Sequence, residues 1–481
     1  MWQLPWLGIF LGAYLVWVLL ACASLLMSRR APAATLAWIF AFVALPFVSG
    51  IYYLVFGPRR LRRRRLRYGF ARGSLAGGVA EHLRTACCQE PPKLSAEAAP
   101  LATLAKHLGQ GEPTFASATK LLEGGDEFLE ALERAILDAA HHVHLEYYIW
   151  EPDRVGTFVR DLLTAAALRG LQIRVLCDDV GSPRVNAKFW EPLRAAGGEV
   201  RAFNALRFSV AGLNFANFRT HRKIAICDGR VGFVGGINIH EDACATRVGK
   251  DAWRDQQVRI AGEPVWRLQQ LFLENWVYSK GAFRLTTNMV AKYFPPSDKT
   301  DGEATQILAS GPDDETAPLH AFYLAAISTA RARVWLETPY LIPDEPLEAA
   351  LRVAQLRGVE VQVIVPKHGD SKLVTAASHT YCESLGKVGI KVYEYGPPML
   401  HAKMMVIDET VGIVGTANFD NRSFRLNFEV AAAFYDAALI GRLAKRFKED
   451  REVCKPFPSR RRNPRLTVLL ESLARLTSPV L

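Results

Sequence analysis

His221-Arg222-Lys223-Ile224-Ala225-Ile226-Cys227-Asp228 runs on through Val231-Gly232-Phe233-Val234-Gly235-Gly236-Ile237-Asn238, and the chain carries the same pattern a second time. The second copy is His401-Ala402-Lys403-Met404-Met405-Val406-Ile407-Asp408, then Val411-Gly412-Ile413-Val414-Gly415-Thr416-Ala417-Asn418. In both copies Lys follows His by 2 residues, Asp by 7 and Asn by 17. Each copy reads as two short apolar strands joined by a polar turn, a hairpin in a half-buried or buried sheet. Residues i and i+2 of a strand face one side, so each His shares a face with its Lys. The Asn follows the second strand at a glycine-containing turn, which can bring its amide to the same place.

Imidazole, ammonium and amide converging on one spot describe a site for an oxyanion, most naturally phosphate. A single His-x-Lys is an ordinary feature of an exposed strand. Two copies with matched spacing and matched Asn point instead to two half-sites of one centre. Zinc fits poorly, because the lysine sets a cation where a metal needs a second neutral or anionic ligand; no metal or other cofactor is expected. One His can attack phosphorus while the other protonates the departing oxygen and later deprotonates the incoming hydroxyl. A carboxylate is needed to fix each ring's tautomer. Asp255 in Trp253-Arg254-Asp255 and Glu429 in Asn427-Phe428-Glu429 follow the two Asn residues in corresponding places and are the candidates. Asp228 and Asp408 stand an odd number of residues from His, so a regular strand turns them to the opposite face.

The repeat extends beyond the two hairpins. A helix over 127–140, the strand Val143-His144-Leu145-Glu146-Tyr147-Tyr148-Ile149, a helix ending Leu168-Arg169-Gly170 and the strand Leu171–Leu176 precede the first copy. A helix over 319–330, the strand Val334-Trp335-Leu336-Glu337-Thr338-Pro339-Tyr340, a helix ending Leu356-Arg357-Gly358 and the strand Val359–Val365 precede the second. This alternation predicts an α/β fold with two tandem halves, each a mixed sheet with helices on both faces. The halves are related by pseudo-twofold symmetry and share one site at their interface. The expected segments are two transmembrane helices over 1–57, a basic juxtamembrane linker over 58–115 and the first half over 116–287. A linker over 288–305, the second half over 306–458 and a basic amphipathic tail over 459–481 complete the chain. Organised structure is expected to resume at Gly124.

At 481 residues the chain accommodates two or three domains. Two apolar runs, from about Leu4 to Met27 and from about Ala33 to Phe56, each exceed the roughly 20 residues a spanning helix needs, and read as a transmembrane helical hairpin. Net charge is +11, much of it matched by seven arginines between Arg59 and Arg67. That cluster sits beside the membrane and not around the His/Lys copies. By the positive-inside rule it places the large C-terminal part, and the N-terminus, in the cytoplasm; it also favours anionic headgroups. The expected location is the cell inner (cytoplasmic) membrane, multi-pass, with the catalytic halves facing the cytoplasm. The 8 cysteines lack CxxC spacing and read as free thiols of a reducing compartment. The tail, Arg460-Arg461-Arg462 and the apolar-periodic stretch Leu466–Leu476, is either a packed helix or a basic amphipathic helix in the membrane interface.

The duplicated His-x-Lys-x4-Asp pattern resembles the phospholipase D superfamily, and the whole chain resembles its bacterial membrane-bound cardiolipin synthase branch. Tyr52-Tyr53-Leu54-Val55-Phe56-Gly57, Trp253-Arg254-Asp255, Ser310-Gly311-Pro312-Asp313, Thr338-Pro339-Tyr340-Leu341-Ile342-Pro343-Asp344 and Asn418-Phe419-Asp420-Asn421-Arg422-Ser423-Phe424 carry this likeness. The resemblance implies two phospholipase-D-type α/β/α sandwich domains. It also implies transfer of a phosphatidyl group from one phosphatidylglycerol to another, giving cardiolipin and glycerol through a phosphohistidine, without a metal. It assigns catalysis to His221, Lys223, Asp228, His401, Lys403 and Asp408, with His221 as nucleophile. Asn238 and Asn418 would bind substrate phosphate. The first copy departs from the superfamily in having Gly236 where Ser is frequent. The expected partners are an anionic phospholipid membrane and phosphatidylglycerol as donor and acceptor, with no nucleic acid. Another transphosphatidylase, a hydrolytic phospholipase D, a nuclease and a non-catalytic lipid-binding scaffold are the competing readings. Phe215, Phe218, Tyr340, Met399 and Phe424 are candidates for a wall that keeps water from the centre.

Overall fold

The computed structural model describes residues 4–27, 32–45, 48–49, 68–69, 73, 90–205, 218–280, 286–297, 301–458, 464–479 and 481. The arginine run before residue 68, the end of the expected second span and Phe215 lie outside these. Two units are distinguished, one of residues 1–66 with 207–214 and one of residues 67–206 with 215–481.

In the first unit a helix covers Leu4–Met27, of which Gly8–Met27 is long and apolar enough to cross a bilayer. The following helix, Pro32–Ala44, has 13 residues, too few to span by itself, so among the described residues one full span is present where the sequence suggests two. The Tyr14 hydroxyl donates to the Phe42 carbonyl, and the Trp17 ring meets Phe42 edge-on at 5.3 Å.

The second unit is built on one large mixed sheet. Its strands, with two short ones beside it, are β1 (Thr114–Glu123), β2 (His142–Tyr147), β3 (Gln172–Asp178), β4 (Glu199–Phe203), β5 (Ile224–Cys227), β6 (Val231–Gly235), β7 (Gln256–Gly262), β8 (Glu303–Ser310), β9 (Arg333–Glu337), β10 (Leu341–Ile342), β11 (Glu360–Pro366), β12 (Lys391–Tyr395), β13 (Met404–Ile407), β14 (Val411–Gly415), β15 (Phe419–Asp420), β16 (Glu429–Phe434) and β17 (Lys455–Pro456). The order across the sheet is β17-β12-β11-β9-β13-β14-β16-β8-β1-β7-β6-β5-β2-β3-β4. Leaving β17 aside, the order runs through corresponding strands from either edge, and β1 and β8 meet antiparallel in the middle. Within each half three strands run parallel, β2-β3-β4 and β9-β11-β12. They are covered on both faces, which explains why β2 and β11 read as unbroken runs and not as alternating patterns.

Alternation survives in the two hairpins, where it decides which core each side chain joins. Ile224 and Ile226 of β5, and Met404 and Val406 of β13, enter one core shared by both halves, lined also by helices Pro264–Lys280 and Ala437–Glu452. Ala225 and Cys227 turn to a core under helices Gly125–Asp138 and Arg154–Leu168, while Met405 and Ile407 turn to one under Pro318–Thr329 and Glu345–Leu356. The helices start where the sequence supplies caps: Asp153 accepts from the Gly156 N–H and Asp344 from the Leu347 N–H.

Order begins earlier than the sequence suggests. Helix Ala98–His107 and β1 precede Gly124, and helix Thr287–Tyr293 occupies part of the segment read as a linker. β1 escapes notice because only three of its ten residues are fully buried, too few for a clear period.

Asp228 and Asp408 sit at the hairpin turns in left-handed conformation, with φ of 55° and 48°. The Asp228 carboxylate accepts from the backbone N–H groups of Ala140, His141 and His142 at 2.7–2.9 Å. The Asp408 carboxylate accepts from those of Arg331, Ala332 and Arg333 at 2.7–2.8 Å. Each thus ties its hairpin to the start of the neighbouring strand, β2 or β9, at the end of the sheet away from the histidines. This corrects the reading of the two aspartates as catalytic. Asp408→Ala should lower unfolding free energy by about 2 kcal/mol, since three backbone donors lose an ionised acceptor. Urea denaturation checks the loss, and NMR titration should find His221 and His401 unchanged; a perturbed histidine titration in stable protein would return the aspartate to the site.

Candidate active site

His221 and Lys223 lie just before β5, Asn238 just after β6 and Asp255 just before β7. Because β5, β6 and β7 are antiparallel neighbours, these positions fall on one edge of the sheet. His401, Lys403, Asn418 and Glu429 occupy the same places around β13, β14 and β16.

The two sets interlock at the backbone. Residue 220 bridges residue 428 in parallel, and residue 254 bridges residue 400. The His221 N–H donates to the Phe428 carbonyl at 2.9 Å, and the His401 N–H to the Arg254 carbonyl at 2.7 Å. This register brings each carboxylate to the histidine of the other half. His221 Nδ1 lies 3.0 and 3.1 Å from the Glu429 oxygens, and His401 Nδ1 lies 2.6 Å from Asp255 Oδ2. A carboxylate only accepts, so each ring carries its proton on Nδ1 and keeps the Nε2 lone pair. Among the described residues neither Nε2 has a hydrogen-bond partner.

Lys223 Nζ donates to the His221 carbonyl at 2.8 Å, and Lys403 Nζ donates to the His401 carbonyl. Lys403 Nζ also approaches His401 Nδ1 at 2.9 Å. A nitrogen that donates to Asp255 has no lone pair for an ammonium, so the carbonyl takes the Lys403 proton. The Asn238 amide oxygen accepts from the Ile149 N–H at 3.2 Å, while its buried Nδ2 has no partner. An orphaned buried donor suits an anion. Asn418 donates from its backbone to Ser423 Oγ, and its buried Oδ1 is without a partner. Among the described residues no cluster of His, Cys, Asp and Glu could hold a metal ion.

Burial sets the charge states. It draws His221 and His401 down to about 4; Glu429 opposes this at His221, while at His401 Lys403 adds to it and Asp255 opposes it. Burial, with repulsion from Lys403, brings Lys223 to about 7, and burial brings Lys403 to about 8 against the pull of Asp255 and Glu429. Burial alone would raise the carboxylates, but Lys403 and His401 hold Asp255, and His221 and Lys223 hold Glu429, below their ordinary ranges. At neutral pH the site therefore holds two neutral imidazoles, two ionised carboxylates, a mostly protonated Lys403 and a Lys223 poised between its two forms.

The halves differ in what supports them. Thr416 Oγ1 and Asn427 Nδ2 donate to Glu429. At the position corresponding to Thr416 stands Gly236, where a Cβ would collide with Asp255 Oδ1. The glycine that departs from the superfamily thus makes room for the carboxylate. Arg222, between His221 and Lys223, is fully buried and donates to the Glu429 carbonyl at 3.2 Å and to the Tyr68 hydroxyl at 3.5 Å. Tyr68 in turn donates to Asn275 at 2.9 Å and stacks on Phe428 at 5.0 Å. Asn275 and Thr220 both donate to the buried Glu146, which offsets the Arg222 charge. Ala402 stands in the place of Arg222, so that position of the second half supplies no guanidinium; the buried guanidinium beside His401 is that of Arg254, paired with Asp450.

Sequence reasoning misses Tyr68, Thr416, Tyr148 and Trp253. The Tyr148 ring lies 4.9 Å from His221 and 5.4 Å from Lys223 Nζ, and the Trp253 ring lies 5.3 Å from His401. Both aromatics lie within stretches quoted from the sequence, but only the structure shows which histidine each meets. Of the proposed wall, Phe424 belongs to the core with Phe419 and Tyr323, and the Tyr340 hydroxyl is bound to Asp370 at 2.7 Å.

Residues 132–261 and 323–451 match the family described as "Cardiolipin synthase, PLD-like domain". Over 496 aligned residues the chain is 36% identical to a protein of Geobacillus thermodenitrificans named cardiolipin synthase, covering 99% of this chain and 95% of that one. It is 34% identical to cardiolipin synthase 1 of Bacillus cereus, covering 95% of this chain and 90% of that one. In fold it is similar to the crystal structure of phosphatidylserine synthase from Haemophilus influenzae, with a TM-score of 0.60, 14% identity, and coverage of 79% of this chain and 100% of that one.

Sulfate, which keeps its charge across the range, should bind this site and lose affinity as pH rises through about 7 to 8, where Lys223 and Lys403 give up their protons. The expected loss between the two plateaus is about tenfold or more, the worth of one charge-assisted hydrogen bond. Calorimetric titration at several pH values checks it, and affinity unchanged across that window would contradict the lysine assignment.

Proposed function

This chain belongs to the cardiolipin synthase branch of the phospholipase D-like family, and on that premise we propose that it joins two phosphatidylglycerol molecules into cardiolipin and glycerol. It is a phosphatidyltransferase. The observation that carries the mechanism is the crosswise pairing of His221 with Glu429 and of His401 with Asp255, which makes one centre from two incomplete halves.

In the proposed first step His221 Nε2 attacks phosphorus of the donor. A P–N bond forms as the P–O bond to the departing glycerol breaks, and the His401 imidazolium gives its proton to the glycerol oxygen. In the second step neutral His401 takes the hydroxyl proton of another phosphatidylglycerol. Its oxygen attacks phosphorus, the P–N bond breaks and His221 is restored. Lys223, Lys403 and Asn238 Nδ2 supply positive charge and a donor to the phosphoryl oxygens. The first step needs His401 protonated although burial holds it near 4 in the empty site; a bound phosphodiester anion raises it again.

The unequal carboxylates support His221 as nucleophile and His401 as acid and base. Asp255 stands 2.6 Å from His401, the shorter of the two contacts, and takes one further donor, the Gln256 N–H, whereas Glu429 takes two, from Thr416 and Asn427, so Asp255 keeps more of its charge for an imidazolium. The corresponding strand order from either edge supports a pseudo-twofold relation of the halves, read as 116–287 and 306–458. The apolar Gly8–Met27 helix fits a membrane protein, and the following arginines favour a two-span hairpin in the bacterial inner membrane with the catalytic halves on the cytoplasmic side.

Purified enzyme given labelled phosphatidylglycerol should release glycerol and cardiolipin in equal amounts. His221→Ala and His401→Ala should each lower kcat by about 1,000-fold or more, as removal of a nucleophile or its acid does. Lipid mass spectrometry reads the products; phosphatidic acid as the main product would make the protein a hydrolase, and near-normal turnover in either variant would refute the shared centre.

A further inference from the structure

The helix Arg465–Arg475 is amphipathic with its faces reversed. Leu466, Leu469, Leu470, Leu473 and Leu476 recur at helical spacing, and each is 50% or more exposed. The side turned to the protein carries Glu471, Ala474 and Ser478, each 7% exposed or less. Glu471 faces His379 at 3.5 Å, the Tyr381 hydroxyl donates to Ser478 Oγ at 3.1 Å, and the Arg475 guanidinium lies over the Tyr381 ring at 4.6 Å. A surface helix in water turns its leucines inward. One that docks through its polar face and presents a leucine stripe is built for an apolar surround.

Its position and charge say which surround. The segment is bound to the loop that follows Asn418: Asn421 Nδ2 donates to the Ser478 carbonyl at 3.2 Å, and the Arg422 N–H to the Leu481 carbonyl at 2.9 Å. The loop itself is fixed to the half-site, since the Asn418 N–H donates to Ser423 Oγ at 3.1 Å. Between residues 459 and 481 the sequence has five arginines, Arg460, Arg461, Arg462, Arg465 and Arg475, against one acid, Glu471. Leucine in the acyl region with arginine at the headgroup level is the pattern of an in-plane interfacial helix on an anionic bilayer.

We propose that the leucine face of Arg465–Arg475 lies in the headgroup and acyl boundary of an anionic membrane and holds the adjoining half-site loop at the lipid surface. Lipid is the committed occupant; only that choice rests on the functional reading above. Trypsin cuts after Arg465 and Arg475, so Leu466–Arg475 is released as one peptide. The full chain is reconstituted in phosphatidylglycerol vesicles containing a phosphatidylcholine with a diazirine in its acyl chain, then irradiated and digested. The expected result is a lipid adduct on Leu466–Arg475, reduced about tenfold in the double variant Leu469→Glu/Leu473→Glu. That variant should also lose about tenfold in kcat/KM on vesicles while staying within about twofold on monomeric short-chain phosphatidylglycerol. Absence of the adduct while the Gly8–Met27 helix is labelled would overturn the proposal. So would cross-linking of this peptide to protein, which would make the face a contact between copies, and so would equal loss on vesicular and monomeric substrate. An adduct formed by protein that makes no cardiolipin leaves this inference standing and removes the functional reading instead.

Discussion

The chemistry proposed for this molecule depends on two histidine–carboxylate contacts made across the seam of a duplicated fold. Neither half can orient its own histidine: Glu429 holds His221, and Asp255 holds His401. The backbone makes the exchange obligatory, because residues 220 and 254 bridge residues 428 and 400 and carry the four side chains with them. The stays of this seam are buried ion pairs one or two residues away. Arg254 is held by Asp450 at 2.7 Å and passes its carbonyl to His401. Arg219 is held by Asp178 at 3.0 Å and passes its carbonyl to Phe428. Breaking either pair would leave a charge uncompensated in the interior and loosen a histidine as well.

Duplication supplies two copies of the chemistry, and small departures make them unequal. Gly236 admits Asp255 close to the turn, whereas Thr416 donates a hydrogen bond to Glu429. Arg222 recruits Tyr68, Asn275 and Glu146 into a buried network beside His221, whereas Ala402 has no polar side chain and the buried guanidinium beside His401 is that of Arg254. In the proposed two-step transfer one imidazole acts as nucleophile and the other as proton carrier, and such inequality favours one assignment of the two roles. Tyr68 itself reaches this network, meeting Arg222, Asn275 and Phe428.

Much of this is legible in the amino-acid sequence alone. The period-two pattern of the hairpins, the repeated helix and strand order and the identity of the eight side chains at the centre can all be read there, because matched spacing in two copies leaves few arrangements. Partnership across the seam cannot. Asp255 follows Asn238 and Glu429 follows Asn418, so sequence proximity suggests each serves its own half; the register of residues 219–221 against 427–429 reverses this. β1 is hidden for want of a period, and Tyr68 because an aromatic beside a run of arginines carries no signal of burial. Strand parity rightly turns the two motif aspartates away from the histidines, yet their work of gathering three backbone N–H groups is visible only in three dimensions.

The central claim is that a phosphatidyl group passes through a covalent histidine made and broken in one shared site. Each in-line displacement inverts phosphorus, so two in succession restore its configuration. The most direct measurement uses phosphatidylglycerol with a chiral, isotopically marked phosphorus as donor and unmarked phosphatidylglycerol as acceptor, reading the configuration in the cardiolipin formed by phosphorus NMR. The account predicts net retention. Net inversion would mean that the acceptor hydroxyl attacks the donor directly, with both histidines acting only as acid and base, and would contradict it.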